Sequence, residues 1–287
     1  MLFADAVVEF QKHLDSMGRS PDTVYSYVSD LRRFAKGLAA ITCADLPLEA
    51  IERPHIGAYL YEMYRRGLAA STRHRAVCTL KCFFAFCVEA EFIPSSPAQR
   101  VPGVTVPSTL PAYLELDEVR SIIDNCYDPL ARIIASTLFY TGLRISELCS
   151  LRLGDLNLDR GTIRVARGKG GKERIVPLNR RARDFLLRYI SGVRPDSDSD
   201  YLILTPRGKK LTRNWACTCL RHELKRQGWT RRVTPHTFRH SHATALYRAG
   251  VGLVTIAGIL GHADISTTQL YTHLSSQDMM DAVQKLI

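Results

Sequence analysis

Residues Thr234 to His273 concentrate side chains that could handle a phosphate, namely His236, Arg239, His262 and Tyr271. His236 and Arg239 are three apart in a segment, Pro235 to Arg248, that has helical spacing and a proline at the favoured first helical position. Residues three apart share a face, so both can reach one small anion. The segment Ile256 to His262 ends in Gly261-His262, a helix stop followed by an imidazole, and Tyr271 comes nine residues later. Arginine can grip a phosphate with two hydrogen bonds, histidine can move a proton near neutral pH, and tyrosine can act as a covalent nucleophile. The stretch lacks the clustered carboxylates of a metal-dependent nuclease, so the chemistry it suggests is metal-free phosphoryl transfer. Taken singly these residues have simpler readings, since a histidine at a helix end is usually structural and a lone tyrosine packs as an amphipathic ring. Their joint spacing carries the signal.

The elements that must position them follow from periodicity and stop signals. Four helices are expected in the first hundred residues. They run from Phe3 to Leu14, from Thr23 to Leu38 behind Ser20-Pro21, from Arg53-Pro54 to Gly67, and from Ser71 to about Ala90. On the fourth, Arg73 and Lys81 are two turns apart on one face with Arg75 nearby, a pattern that by itself suits a solvated charged face equally well. Five of the 13 prolines fall between Ile93 and Pro111, a density that prevents helix and predicts an extended, stiff linker. The expected division is therefore residues 1–93, a linker at 94–111, and a second domain at 112–287.

In the second domain the pattern predicts helices at Leu116 to Asn125, Asp128 to Tyr140 and Arg144 to Leu151. Strands at Thr162 to Ala166 and Arg174 to Leu178 flank a Gly168-Lys169-Gly170-Gly171 turn. A lone Gly-Lys-Gly is ordinarily a solvated turn. A helix at Arg180 to Ile190, a short third strand at Tyr201 to Leu204 and a helix at Thr212 to Gln227 carrying Arg213 come next. Ser276 to Ile287 reads as a closing amphipathic helix whose apolar stripe suits a partner groove. The expected class is mainly α with a small β-sheet: an amino-terminal four-helix domain followed by a mixed α+β domain.

Composition narrows the partner. The chain has 287 residues, 46% of them hydrophobic, and a formal net charge of +11. Residues 1 to 107 hold 12 Lys+Arg against 11 Asp+Glu, while the remainder holds 27 against 17, so the excess positive charge lies with the phosphate chemistry and points to a polyanion. No apolar run reaches the length of a membrane span and no secretion signal opens the chain, which predicts a cytoplasmic protein without a membrane partner. Eight cysteines show no paired zinc spacing and are expected as reduced, mostly buried thiols. Neither a metal nor a cofactor is expected.

His236-Thr-Phe-Arg239-His240, Leu260-Gly261-His262 and Tyr271-Thr272-His273 resemble the carboxy-terminal motifs of the tyrosine recombinases, the phage-integrase-like family, and above all its Xer-type members. Upstream, Thr141-Gly-Leu-Arg144-Ile-Ser-Glu147-Leu resembles that family's first arginine motif. Gly168-Lys169-Gly-Gly-Lys172-Glu-Arg174 resembles its catalytic-lysine hairpin, and the motifs occur in family order across essentially the whole chain. The resemblance implies an amino-terminal helical domain that clamps double-stranded DNA; Arg73, Arg75 and Lys81 in that domain, with Lys172 and Arg213 in the second, are candidate DNA contacts. It also implies a catalytic set of Arg144, Lys169, His236, Arg239, His262 and Tyr271. In that set Arg144 and Arg239 neutralise the phosphate, His262 adds a hydrogen bond, and Glu147 orients Arg144. Tyr271 attacks with His236 as base, and Lys169 protonates the departing 5′-oxygen, leaving a 3′-phosphotyrosine. Recombination by a homo-tetramer, or a hetero-tetramer with a related recombinase, through a Holliday junction is the implied outcome. A relaxing enzyme of the type IB topoisomerase kind and a catalytically silent DNA-binding accessory protein are the alternatives. His242, where a phenylalanine is usual, and Leu114-Glu-Leu-Asp117 depart from the family pattern without touching a catalytic position.

Overall fold

Proline and short polar side chains start several helices of this protein where the backbone would otherwise leave its first N–H groups unpaired. The computed structural model describes residues 1–42, 47–107, 112–166 and 173–261, and its contacts divide into two compact units, Met1–Thr109 and Leu110–Ile287. In the first unit α1 (Phe3–Ser16), α2 (Pro21–Thr42), α3 (Arg53–Arg65) and α4 (Ala70–Glu89) form the four expected helices. Ser20 Oγ accepts from the Thr23 amide at 3.3 Å and starts α2 as its position before Pro21 predicts. Helix α4, in contrast, begins at Ala70 behind Ala69, with Ser71 inside the first turn and no side-chain cap. Phe3, Phe10, Phe34, Phe83 and Phe84 fill the core, and the Phe3 and Phe83 rings meet edge to face at 5.1 Å.

Part of the expected linker packs onto this unit. Ile93, Ala98 and Val101 are buried with the four helices, and the Val104 carbonyl lies 2.9 Å from His74 Nδ1. The prolines prevent helix there, yet the apolar residues between them still remove area from water.

The second unit is built round α6 (Pro129–Thr141), preceded by α5 (Leu116–Asp124). Every residue of α6 except Pro129 and Arg132 is buried, including Ser136, Thr137 and Thr141, so this helix is covered on all sides. Asp128 caps it through the Leu130 amide at 2.8 Å. It is packed by α8 (Arg180–Gly192), α9 (Arg213–Arg226) and α10 (Pro235–Arg248), while α7 (Ile145–Leu148) is one turn, shorter than its sequence pattern predicts. Beyond α7 the backbone leaves the helix to pair Leu151 with Leu202 and Leu153 with Asp200.

Among the described residues the sheet has three antiparallel strands in the order β1 (Leu156–Asn157), β2 (Thr162–Val165) and β3 (Arg174–Pro177), with Ile163 opposite Val176. The expected strand at Tyr201 to Leu204 is instead an irregular segment, buried from Leu202 on, with isolated bridges at Tyr201 and Leu204. The third strand is the two-residue β1, too short to carry an alternating pattern. The last described helix is α11 (Leu253–Leu260), ended by Gly261 at φ 66°. Among the described residues no helix is long and apolar enough to cross a membrane. The expected closing helix at 276–287 lies outside the described residues.

Candidate active site

A helix ends with carbonyl groups that have no partner within it and with the negative end of its dipole, so cations gather there. At the end of α11 three guanidinium groups take three successive carbonyls. Arg174 Nε donates to Ile259 at 2.9 Å, Arg239 Nη2 to Leu260 at 2.7 Å, and Arg144 Nη2 to Gly261 at 3.0 Å. Arg239 also donates through Nη1 to the carbonyl of Gly142, the residue that closes α6. The two arginines that the sequence singles out therefore reach one place from positions 95 residues apart, Arg144 from the start of α7 and Arg239 from the first turns of α10.

Local sequence explains how each is delivered. Gly142 adopts φ 63° at the end of α6, turning the chain so that Arg144 becomes the N-cap residue of α7. Glu147, one turn on, accepts from the Arg144 amide and from Arg144 Nη1, both at 2.8 Å, and from Arg174 Nη1 and Nη2 at 2.9 and 2.8 Å. Burial would raise the Glu147 pKa, but these bonds from Arg174 and Arg144 outweigh it and hold the carboxyl below its ordinary value. On α10, Thr234 and Thr237 cap each other's backbone, with Pro235 in the first turn. His236 and Arg239 then follow on one face.

His236 lies in the field of both arginines. Burial lowers its pKa from 6.5, and Arg239 and then Arg144 lower it further, so the ring is neutral and able to accept a proton at pH 7. Its ring centroid is 6.5 Å from that of His240, whose pKa burial pushes down to about 4.

His242 adds a third depressed imidazole on α10. Its Nε2 is buried without a hydrogen-bond partner, and burial pushes its pKa down to about 4 against a smaller opposing contribution from the Phe139 backbone. A folded-state pKa below the unfolded value of 6.5 gives stability that is present above pH 6.5 and lost as pH falls toward 4. For His242 the loss is on the order of 3 kcal/mol. Urea unfolding followed from pH 7 to pH 4.5 should show this decline added to that of His240, and His242→Phe should make the slope shallower; an unchanged slope would contradict the assignment.

Of the other sequence candidates, Arg213 is the first residue of α9 and is exposed. Arg73, Arg75 and Lys81 lie on α4 in the first unit. Arg73 Nε donates to the Leu68 carbonyl at 3.2 Å, with its guanidinium 5.2 Å from the Tyr64 ring centre. Arg75 grips buried Asp30 through Nε and Nη2 at 2.8 and 3.0 Å, and Lys81 is half-buried. Lys169, Lys172, His262 and Tyr271 lie outside the described residues. Sequence reasoning assigned no role to Arg174, although it stands in the hairpin motif and heads β3. By strand alternation it shares the face of buried Val176, an unusual place for an unpaired charge, and its side chain is 10% exposed.

The arrangement is a cluster of guanidinium groups with a neutral base beside it, suited to an anion whose charge grows during reaction. Comparison with known proteins agrees with that chemistry. Residues 112–278 match the phage integrase family, and residues 7–91 match the phage integrase N-terminal SAM-like domain. The tyrosine recombinase XerD of Listeria monocytogenes is 32% identical over 278 residues, 93% of each chain. The tyrosine recombinase XerC of Thermodesulfovibrio yellowstonii is 30% identical over 292 residues, 97% of this chain and 95% of that one. Among solved structures, a lambda integrase dimer bound to a COC′ core site shares the fold at a TM-score of 0.78 and 20% identity, over 94% of this chain and 95% of that chain. The protein described here belongs to the phage integrase family and is a tyrosine recombinase.

Proposed function

We propose that the enzyme performs site-specific recombination of double-stranded DNA, cutting and rejoining strands through a 3′-phosphotyrosine on Tyr271. The observation that carries this reading is the convergence of Arg144 and Arg239 on the last carbonyls of α11, next in sequence to His262. A DNA phosphodiester is already anionic, so attack needs its growing charge neutralised, and two guanidinium groups with the His262 N–H supply that. Tyr271 Oη bonds to phosphorus as the bond to the 5′-oxygen breaks. The phenolic proton passes to neutral His236, and Lys169 protonates the departing oxygen. The phosphotyrosine conserves the energy of the broken bond, so a 5′-hydroxyl from another strand can reverse the step without ATP.

In the same reading the amino-terminal domain expected at 1–93 clamps the duplex with α4 toward the groove, and the stretch 94–111, part of which packs on that domain, leads to the catalytic domain at 112–287. Arg73 and Lys81 provide phosphate contacts there. Arg75, already paired with Asp30, is the weaker contact, while Lys172 and Arg213 contribute from the catalytic unit. Four protomers assemble on two sites, either identical or with a related recombinase, and exchange strands through a Holliday junction in the cytoplasm. The closing segment at 276–287 docks into the neighbouring protomer. Support comes from relatives that are tyrosine recombinases and from structural neighbours solved on DNA, including an XerH recombinase bound to a palindromic difH substrate.

Mapping protein-bound genomic DNA identifies the site. Two copies of it, incubated with the protein without ATP or divalent metal, should yield four-way junctions and exchanged products. Relaxation of supercoils without exchange would instead indicate a topoisomerase, and binding without either would indicate an accessory protein.

A further inference from the structure

Arg174 is not among the residues assigned to the chemistry, yet it bonds or packs against each group that holds Arg144 in place. Its Nη1 and Nη2 grip both oxygens of Glu147 at 2.9 and 2.8 Å, and its Nε takes the Ile259 carbonyl at 2.9 Å, so every guanidinium nitrogen is engaged. Glu147 is in turn the carboxylate that accepts from Arg144 Nη1. The other acceptor of the Arg144 guanidinium is the Gly261 carbonyl, and Arg174 packs directly against Gly261. A Cβ built at Gly261 would come within 2.9 Å of Arg174 Nη1 and 3.0 Å of its Cδ.

This pattern does more than neutralise one buried carboxylate. Arg144 reaches both oxygens of Glu147 through its amide and Nη1, so alone the pair could shift together, whereas the two-point grip of Arg174 fixes the carboxylate plane independently of Arg144. With that plane fixed and the Gly261 turn pressed in place, the Arg144 guanidinium has one orientation. We infer that Arg174 is a positioning residue for strand cleavage, setting Glu147 and the Gly261 turn so that Arg144 faces the scissile phosphate. The inference rests on the recombinase reading above, in which Arg144 neutralises that phosphate. Lysine is a poor substitute, because one ammonium cannot reproduce the planar fork and the third contact to Ile259.

A nicked duplex of the mapped site, which loses its 5′-hydroxyl fragment and so traps the covalent complex, tests this at saturating protein. Arg174→Gln should slow trapping by about 100-fold and Arg174→Lys by about 10-fold, with DNA affinity within about threefold of native. Replacing the scissile phosphate by a neutral methylphosphonate removes charge that Arg144 must balance. The Arg174→Gln defect should then shrink to less than about 10-fold, and the double variant Arg174→Gln/Arg144→Gln should be no slower than Arg144→Gln alone.

Trapping by Arg174→Gln at the native rate would overturn the inference. So would equal slowing on phosphate and methylphosphonate, the result of a merely structural role. Rescue by a 5′-bridging sulfur leaving group instead would place the defect at protonation of the departing oxygen and equally overturn it. If thermal melting finds Arg174→Gln unfolded, Arg174→Lys carries the same methylphosphonate comparison. Failure of the native protein to trap any complex would overturn the recombinase reading, and this inference with it.

Discussion

Alanine in place of Arg239 lowers the rate of covalent strand cleavage by about 10³-fold at saturating DNA, because one of the two guanidinium groups balancing the phosphate is gone. The same substitution costs stability. Arg239 is 4% exposed and takes the carbonyls of Gly142 and Leu260, two helix ends that pack against α10 from different parts of the chain. Hydrogen bonds from a charged donor contribute roughly 1.5–3 kcal/mol each, and the carbonyls left behind are shielded from water. For a unit of this size a loss of about 3 kcal/mol lowers Tm by roughly 10 °C. Arg239→Lys keeps the charge without the fork and should recover part of both losses. Single-turnover cleavage and thermal melting of the three proteins measure the effects separately, and an Arg239→Ala protein that cleaves within tenfold of native contradicts the assignment.

The second large effect is expected at Gly142. The backbone there has φ 63°, and a Cβ would fall 2.6 Å from His242 Cδ2 and 2.7 Å from Leu260 Cδ2. Alanine thus incurs left-handed strain of about 1–2 kcal/mol together with an overpacking cost of about 1–3 kcal/mol. Gly228 is a matched control, with φ 77° and nothing within 4 Å of its added Cβ, so its alanine variant incurs only the strain. Urea unfolding should show Gly142→Ala losing at least about 2 kcal/mol more than Gly228→Ala. Cleavage should fall as well, since the Gly142 turn delivers Arg144 and its carbonyl binds Arg239. Equal stability losses in the two variants would show that the clash is relieved by movement of the neighbours.

What could be read in the sequence depended on how local the determinant was. Pro235 behind Thr234 and Pro129 behind Asp128 announce helix starts within a few residues, and both helices form there. His236 and Arg239 share a face by spacing alone. The length of α7 was not legible, because the turn that ends it is imposed by pairing of Leu151 with Leu202, far along the chain. Strand β1 was invisible for a related reason: two residues carry no period, and only the partner β2 makes them a strand. The network of Arg174 was hidden more deeply. Its contact with Ile259 spans 85 residues and that of Arg144 with Gly261 spans 117, and both acceptors are backbone carbonyls, which every residue type possesses. Motif order pointed to Arg144 and Arg239, which meet at the end of α11, while the groups that hold them emerged only from the fold.

The central claim is that Tyr271 becomes esterified to the DNA phosphate that Arg144 and Arg239 hold. The most direct measurement uses the nicked duplex with native protein and Tyr271→Phe, followed by proteolysis and mass analysis of the trapped strand. The expected result is a peptide containing Tyr271 that carries a 3′-phosphate-linked nucleotide, and no covalent species from the phenylalanine variant. A nucleotide on any other side chain, or cleavage undiminished in Tyr271→Phe, would contradict the account.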